Sequence, residues 1–272
     1  MIFADLHLHS QWSPDGQECM SHIFSECIRK NFTHIAITDH LDLQDHSGEE
    51  GVKDLERYLA DIEYTGREFP NVKILKGLEA GVNKNNLRET EALIAPHRFD
   101  MILLSIHSFG NINVAKPPVN MDHSSFIKAY LEETLFCVSH MEQYQVLAHL
   151  DYPARYTPFT LQDYMENADL VEEVLTALIK RRKALELNTA RLDRPENFRI
   201  MQWFLQQYTR LGGYMVTVGS DAHKLEAIGR NFDRAQQLLN SVGLDHLTVF
   251  EDTRPKQLSW TSYSVELRER KS

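Results

Sequence analysis

The sequence predicts an α/β fold, a parallel barrel of seven βα units. Three observations carry that reading. Seven short apolar runs alternate with longer segments of helical periodicity. No Gly/Ser linker, charge block or low-complexity tract divides the 272 residues, a length that suits one large α/β domain or two small ones. Histidines and acids stand at the C-terminal end of strand after strand, the rim on which parallel barrels assemble their sites.

The strands expected are Ile2–Leu6, His34–Thr38, Val72–Leu78, Asp100–Ile106, Gln145–Leu150, Lys183–Leu187 and Tyr214–Val218. Between them, apolar residues recur at helical spacing: Ile23, Cys27 and Ile28; Leu55, Leu59 and Ile62; Phe126, Tyr130, Leu131, Leu135 and Val138; Ile200, Phe204 and Leu205. The alternation runs to the end of the chain, which predicts parallel pairing throughout. Residues 83–98 and 108–125 are polar, contain Asn and Pro, and read as loops. The tail Ser259–Ser272 is polar and expected to be flexible in part, on a single domain spanning 1–272. The basic run Lys180-Arg181-Arg182-Lys183 reads as a solvated helix end, favourable against the helix dipole.

Composition narrows the function. A hydrophobic content of 42% with 25% charged residues is that of a soluble globular protein. No run of about 18 apolar residues predicts a membrane span, and the N-terminus lacks the features of a signal peptide. A formal net charge of −10 argues against a general nucleic-acid binder. It leaves room for a phosphorylated small molecule, because bound cations reverse the local sign of a site. Cys19, Cys27 and Cys137 have no C-x-x-C spacing and read as free, inert thiols, so a cytoplasmic location is expected.

The chemistry is concentrated at the strand ends. In Asp5-Leu6-His7-Leu8-His9, side chains two apart on a strand share a face, so a carboxylate and two imidazoles converge. That set can hold a divalent metal such as zinc. The theme recurs in Thr38-Asp39-His40, Gly77-Leu78-Glu79, Ser105-Ile106-His107, His149-Leu150-Asp151, Glu186-Leu187-Asn188 and Gly219-Ser220-Asp221-Ala222-His223, with Asp15 in the first loop. Packing gives no reason to gather so many polar groups at one rim, since burying unpaired charge is costly. Divalent cations supply the compensation. The remaining histidines, His22, His34, His46, His97, His123, His140 and His246, lie in helices, loops or strand starts and receive no metal role. Among them His46 and His123 could overhang the mouth.

The joint pattern D-x-H-x-H, T-D-H, G-x-E, S-x-H, H-x-D and S-D-A-H resembles the PHP (polymerase and histidinol phosphatase) family, over about Asp5 to Phe232. Leu185-Glu186-Leu187-Asn188-Thr189 and Gly229-Arg230-Asn231-Phe232 are similar to its free-standing phosphatase members. The resemblance implies a distorted seven-stranded (β/α)7 TIM-like barrel with three divalent metals, of Zn, Mn or Fe type. It implies His7, His9, Glu79 and Asp221 on the first metal. Glu79 would bridge to a second, held with His107 and His149, and Asp15, His40 and His223 would hold the third. Asp15 stands where some relatives have His, which shifts preference towards harder metals such as Mn²⁺. Asp5, Asp39 and Asp151 are expected to fix the tautomers of neighbouring ligand histidines.

The activity implied is hydrolysis of a small phosphomonoester, foremost L-histidinol phosphate, by hydroxide generated from a metal-bridging water. The general acid is not legible. Arg155, Arg191 and Arg194 are candidates to clamp the phosphate. A nucleotide, a sugar phosphate or a nucleic-acid end remains an alternative substrate. A non-catalytic binding module is another alternative, but it should have lost ligands. An amidohydrolase would need a bridging lysine that no strand end offers.

Overall fold

The computed structural model of the chain describes residues 2–43 and 51–259. Twelve strands are present among the described residues: β1 (Ala4–Leu8), β2 (His34–Ile37), β3 (His40–Asp42), β4 (Lys73–Gly81), β5 (Met101–Ser105), β6 (Ser108–Phe109), β7 (Ile112–Asn113), β8 (Val146–Leu147), β9 (Ala184–Asn188), β10 (Val216–Gly219), β11 (His246–Glu251) and β12 (Arg254–Ser259). The main sheet runs β1-β2-β4-β5-β8-β9-β10, with β3 also on β4, and every pairing in it is parallel.

Two details reduce this sheet to the expected seven-stranded barrel. First, β2 and β3 meet β4 in one continuous register: Ile37 faces Lys76 and His40 faces Glu79. They are one strand broken at Thr38-Asp39. Second, the sheet's two ends meet. The N–H of Asp221 donates to the carbonyl of His7 (2.8 Å), and that of His9 to the carbonyl of Ala222 (3.0 Å). The ring is therefore closed through the residues that carry the candidate chemistry.

Nine α-helices are present among the described residues: α1 (Met20–Arg29), α2 (Leu55–Gly66), α3 (Leu87–Ile94), α4 (His123–His140), α5 (Pro153–Tyr156), α6 (Leu161–Met165), α7 (Ala168–Lys180), α8 (Pro195–Arg210) and α9 (Phe232–Ser241). The apolar stripes of α1, α2, α4 and α8 face the core as their spacing predicts, with Ile28 the exception at 38% exposure. The α7 stripe Val171, Val174, Leu175 and Leu178 is wholly buried. None of these helices is long and apolar enough to cross a membrane.

The chain departs from the expected pattern in three places. The stretch 83–98 is not all loop, because Leu87, Thr90 and Ile94 bury one face of α3. The stretch 108–125 contains the β6–β7 hairpin and the first turn of α4. The last unit is not parallel: β11 and β12 form an antiparallel hairpin. Its turn is held by Asp100, just before β5, which accepts from the N–H groups of Asp252 and Thr253. The hairpin thus covers the N-terminal end of the barrel, where Leu247, Val249 and Phe250 fill the floor. Asp252 and Thr253 both adopt positive φ, as a two-residue hairpin turn of this twist demands. Neither residue is the glycine that usually announces such a turn. Beyond Ser259 the expected polar tail lies outside the described residues.

The basic run after α7 is only partly solvated. Arg181 donates to the carbonyls of Ser139 and Met141, and the Lys183 ammonium to those of Glu142 and Tyr144. Cys27 and Cys137 are buried, Cys19 is half-buried, and all three thiols are free.

One buried hydroxyl ties the broken strand to its neighbours. Tyr58, on α2, accepts from the N–H of Asp39 (3.1 Å) and donates to the carbonyls of Ile37 (3.2 Å) and Gly77 (3.1 Å). Tyr58→Phe leaves the Asp39 N–H buried without a partner, a loss of about 1–3 kcal/mol. Urea unfolding should show a lower midpoint at unchanged slope.

Candidate metal centre

The residues singled out at the strand ends meet at one place. Glu79, 1% exposed at the end of β4, is the hub. Its Oε2 lies 3.2 Å from His7 Nε2, 3.4 Å from His9 Nε2 and 2.9 Å from His40 Nδ1. Its Oε1 lies 3.2 Å from His107 Nε2 and 2.7 Å from His149 Nε2, and accepts from the Ser105 hydroxyl (2.7 Å). Asp221 Oδ1 stands 3.3 Å from His9 Nε2 and 3.8 Å from His7 Nε2. Asp15 reaches His223 Nε2 (3.1 Å) and His40 Nε2 (3.6 Å). All nine candidate ligands are therefore gathered.

The spacing is that of ligands around cations. An ion with bonds of about 2.0–2.1 Å in a tetrahedral site separates its ligand atoms by about 3.3 Å. Buried Nε2 of His7, His9 and His223, Nδ1 of His40 and Oε2 of Glu79 have no hydrogen-bond partner, although several lie within 3.5 Å of one another. Lone pairs facing lone pairs are unfavourable unless a cation lies between them. The donor set, imidazole and carboxylate, suits Zn²⁺, Mn²⁺ or Fe²⁺.

A ring of partners aims these imidazoles. Glu186 Oε1 accepts from His7 Nδ1 (2.7 Å), and Asp42 Oδ1 from His107 Nδ1 (2.7 Å). The Asp221 carbonyl accepts from His223 Nδ1 (3.1 Å). Each bond protonates Nδ1 and leaves Nε2 free for a cation. Two glycines permit the approach. A methyl at Gly219 would collide with the His7 Cβ and the Glu186 carboxylate, and one at Gly81 with the Asp42 carboxylate.

The carboxylates expected to do this work make no direct hydrogen bond to a ligand imidazole. Asp5 accepts from the N–H groups of Ser220 (2.8 Å) and Gly229 (3.0 Å), and so holds the chain after β10. Asp39 accepts from the N–H and hydroxyl groups of both Ser10 and Ser13. Asp39 is next to His40 in sequence, and adjacent side chains in an extended chain point apart. Asp151 Oδ1 and His149 Nδ1 each lack a hydrogen-bond partner, and burial raises the Asp151 carboxyl to about 6 against the lowering charge of Arg155. Asp42, two residues after His40, and Glu186, at the end of β9, do that work without a local signal in the sequence that pairs them with His107 and His7. Asn188 donates to both Glu186 (3.1 Å) and Asp221 (3.2 Å).

The arginines separate clearly. Arg155 is buried, with Nη1 on Asp221 Oδ2 (2.5 Å) and Nη2 without a partner. The exposed Arg194 donates to the Arg155 carbonyl (3.2 Å), and Arg191 is half-buried. Arg230, which carried no expected role, clamps the carbonyls of Ser220 and Asp221 (both 2.9 Å), where Asp221 is held at positive φ. His123 does not overhang the mouth freely: it packs on Phe159 and faces Asp163 at 3.6 Å. His46 lies outside the described residues. The centre opens into a cavity of about 140 Å³, lined by Asp15, His40, Asp42, His107, Asn113 and Tyr152 among others.

Comparison with known proteins agrees with this geometry. Residues 5–190 match the family model of the PHP domain. The chain belongs to the PHP domain family. It is 33% identical over 251 residues to a probable histidinol-phosphatase of Thermotoga maritima, covering 90% of this chain and 94% of the relative. It is 30% identical over 258 residues to the histidinol-phosphatase of Lactococcus lactis, covering 90% and 93%. The crystal structure of histidinol phosphate phosphatase from Lactococcus lactis, complexed with zinc, L-histidinol and phosphate, superposes with a TM-score of 0.87 at 30% identity, over 93% of this chain and 98% of that one. Asp221 and His223 lie beyond the span of the family model, yet they complete the same cluster.

In this PHP domain burial opposes charge at Glu79, Asp221, Asp15, His7 and His40, and at these five the neighbours decide the outcome. Burial alone would raise Glu79, but His7, His40 and His107 hold it well below the usual carboxylate range. Burial would likewise raise Asp221, yet Arg155 and His7 hold it down, while Asp15 is lowered to about 2 by His223 and His40 despite its own burial. Against burial, His7 is raised well above its ordinary value by Glu186 and Asp221, and His40 to about 9 by Glu79 and Asp42. His9 goes the other way: burial and then the charges of His223 and His40 keep it neutral.

A metal ligand must be deprotonated. With His40 at about 9 in the metal-free protein, any cation taking that nitrogen must displace a proton at neutral pH. Affinity for that cation should therefore rise with pH, about tenfold per unit, and level off above pH 9. Competition titration against a chelator of known pH dependence reads that slope. Glu186→Gln removes the negative acceptor behind His7 while keeping the shape. It should weaken zinc retention about 10–100-fold, measured as bound zinc after equilibration with graded chelator.

Proposed function

We propose that this PHP domain is a metal-dependent phosphomonoesterase that hydrolyses L-histidinol phosphate to L-histidinol and inorganic phosphate. One observation carries the reading: eight imidazole and carboxylate groups gather with Glu79 into one cluster in which five buried ligand atoms lack a hydrogen-bond partner, under a fold shared across nearly its whole length with a histidinol phosphate phosphatase. We read the cluster as three divalent cations of Zn, Mn or Fe type. His7, His9, Glu79 and Asp221 hold the first, Glu79, His107 and His149 the second, and Asp15, His40 and His223 the third. Bound there, the cations supply the field that stabilises phosphoryl charge and makes water nucleophilic at neutral pH.

The side chains of the protein do the rest. Arg155 is anchored by one arm on Asp221, and its other arm is buried and free. A guanidinium fixed in this way can take a phosphoryl oxygen without losing further side-chain freedom. Tyr152 lies over His107 and His149 and under the Arg155 guanidinium, and meets Tyr156 edge-on, so one wall of the mouth is aromatic. That wall suits the flat imidazole of the substrate. Glu186 and Asp42 keep the imidazoles aimed while charge moves through the site. The partner is thus a small phosphomonoester. The net charge of −10 weighs against nucleic acid as the substrate, and free thiols fit a cytoplasmic enzyme.

Phosphate release by zinc- or manganese-loaded protein is the deciding measurement, with L-histidinol phosphate run beside nucleotides, sugar phosphates and 5′-phosphorylated oligonucleotides. A kcat/KM for L-histidinol phosphate about 100-fold above the others, near 10⁴ M⁻¹s⁻¹ or more, is expected. Preference for another member of the panel would keep the centre and replace the substrate.

A further inference from the structure

Ser13, in the turn after β1, is 3% exposed, and its hydroxyl stands among three polar groups. Asp39 Oδ1 is 2.6 Å away, His9 Nδ1 3.0 Å and the backbone nitrogen of His40 3.1 Å. A hydroxyl has one proton and two lone pairs. The peptide N–H of His40 can only donate, so it occupies one lone pair. The Asp39 carboxylate already accepts from the N–H groups of Ser10 and Ser13 and from the Ser10 hydroxyl, and takes the Ser13 proton. Only a lone pair is left for His9. Its Nδ1 must then carry the ring proton, which leaves the lone pair on Nε2, the atom that faces Glu79 and Asp221 at 3.4 and 3.3 Å.

We propose that Ser13 is a positioning residue that locks His9 in its metal-binding tautomer and relays to it the carboxylate of Asp39. His7 and His107 have carboxylates directly behind them, Glu186 and Asp42. His9 has none, and the Ser13 hydroxyl fills that gap. The proposal rests on reading the cluster as a cation centre. Ser10 is the natural comparison: its hydroxyl also donates to Asp39, at 2.7 Å, but on its other side it meets the Trp12 N–H and not an imidazole.

The test uses the zinc-loaded protein and two readouts. One is the rate at which zinc passes to excess chelator. The other is exchange of the His9 Nδ1 proton with water, followed by ¹⁵N–¹H spectra of histidine-labelled protein. Ser13→Ala should release one zinc equivalent about 10–100-fold faster and lose the protected ring proton. Ser13→Thr keeps the hydroxyl and should restore both. Ser10→Ala should leave both close to the parent. If Ser13→Ala does not fold, Ser13→Cys, similar in volume and a poorer acceptor, should show the same two changes at smaller amplitude. Zinc retention and proton protection unchanged in these Ser13 variants, or equal effects from Ser10→Ala, would overturn the proposal. A parent chain that takes up no zinc would overturn the cation centre itself, and the proposal with it.

Discussion

The rest of the site depends on one buried carboxylate. Glu79 sits at the centre of the barrel mouth with both oxygens engaged by imidazoles from four other strand ends. A carboxylate in that position loses its hydration, a cost of several kcal/mol that only opposite charge at close range offsets. The protein meets this by surrounding it with groups that are cationic when protonated and that become metal ligands when not. His7, His40 and His107 hold Glu79 ionised in the absence of a cation. A divalent ion would replace their protons without changing the sign of the field.

The barrel's closure and its chemistry are one structure. The two backbone hydrogen bonds that join β1 to β10 come from Asp221 and His9, and both residues also contribute side chains to the cluster. The break in the strand β2–β3 frees Asp39 from the sheet to organise the Ser10–Ser13 turn, while His40 and Asp42 resume the register beside Glu79. Among the described residues, two of the seven non-glycine positions with positive φ, His149 and Asp221, lie within the cluster. Arg230 holds Asp221 in that conformation through two backbone carbonyls.

The inner layer of the site was legible because each ligand announces itself locally. A histidine or acid placed just after an apolar run has one available direction in a parallel barrel, and eight such residues could be placed on one rim, while Asp15, in the first loop, rested on the family resemblance. The layer behind it was not legible by the same logic. Asp5, Asp39 and Asp151 were assigned to the nearest histidine in sequence, but hydrogen-bond partners in a barrel are chosen across the sheet. Glu186 reaches a histidine 179 residues away, and Asp42 one 65 residues away. The barrel itself was legible, and one element of it was not, for the same reason. The seven parallel units were visible in the apolar periodicity, whereas the β11–β12 hairpin was not. Its buried stretch Leu247–Phe250 reads like any other strand, and its direction is fixed by Asp100, far away in sequence.

Three different devices fix the imidazoles around Glu79: a carboxylate at His7 and His107, a backbone carbonyl at His223, and a hydroxyl relaying a carboxylate at His9. They differ in strength as acceptors, and so in how basic they make the nitrogen that faces the centre. A carboxylate pushes most electron density through the ring, a neutral carbonyl least. The burial of the groups they serve runs in parallel. His7 is fully buried with Glu186, while His223 and Asp15 stand at the exposed edge of the cluster. The centre is thus graded from a rigid, strongly donating interior to a wetter and weaker rim. A phosphate ester arriving from solvent would meet this exposed rim first, with the buried interior behind it.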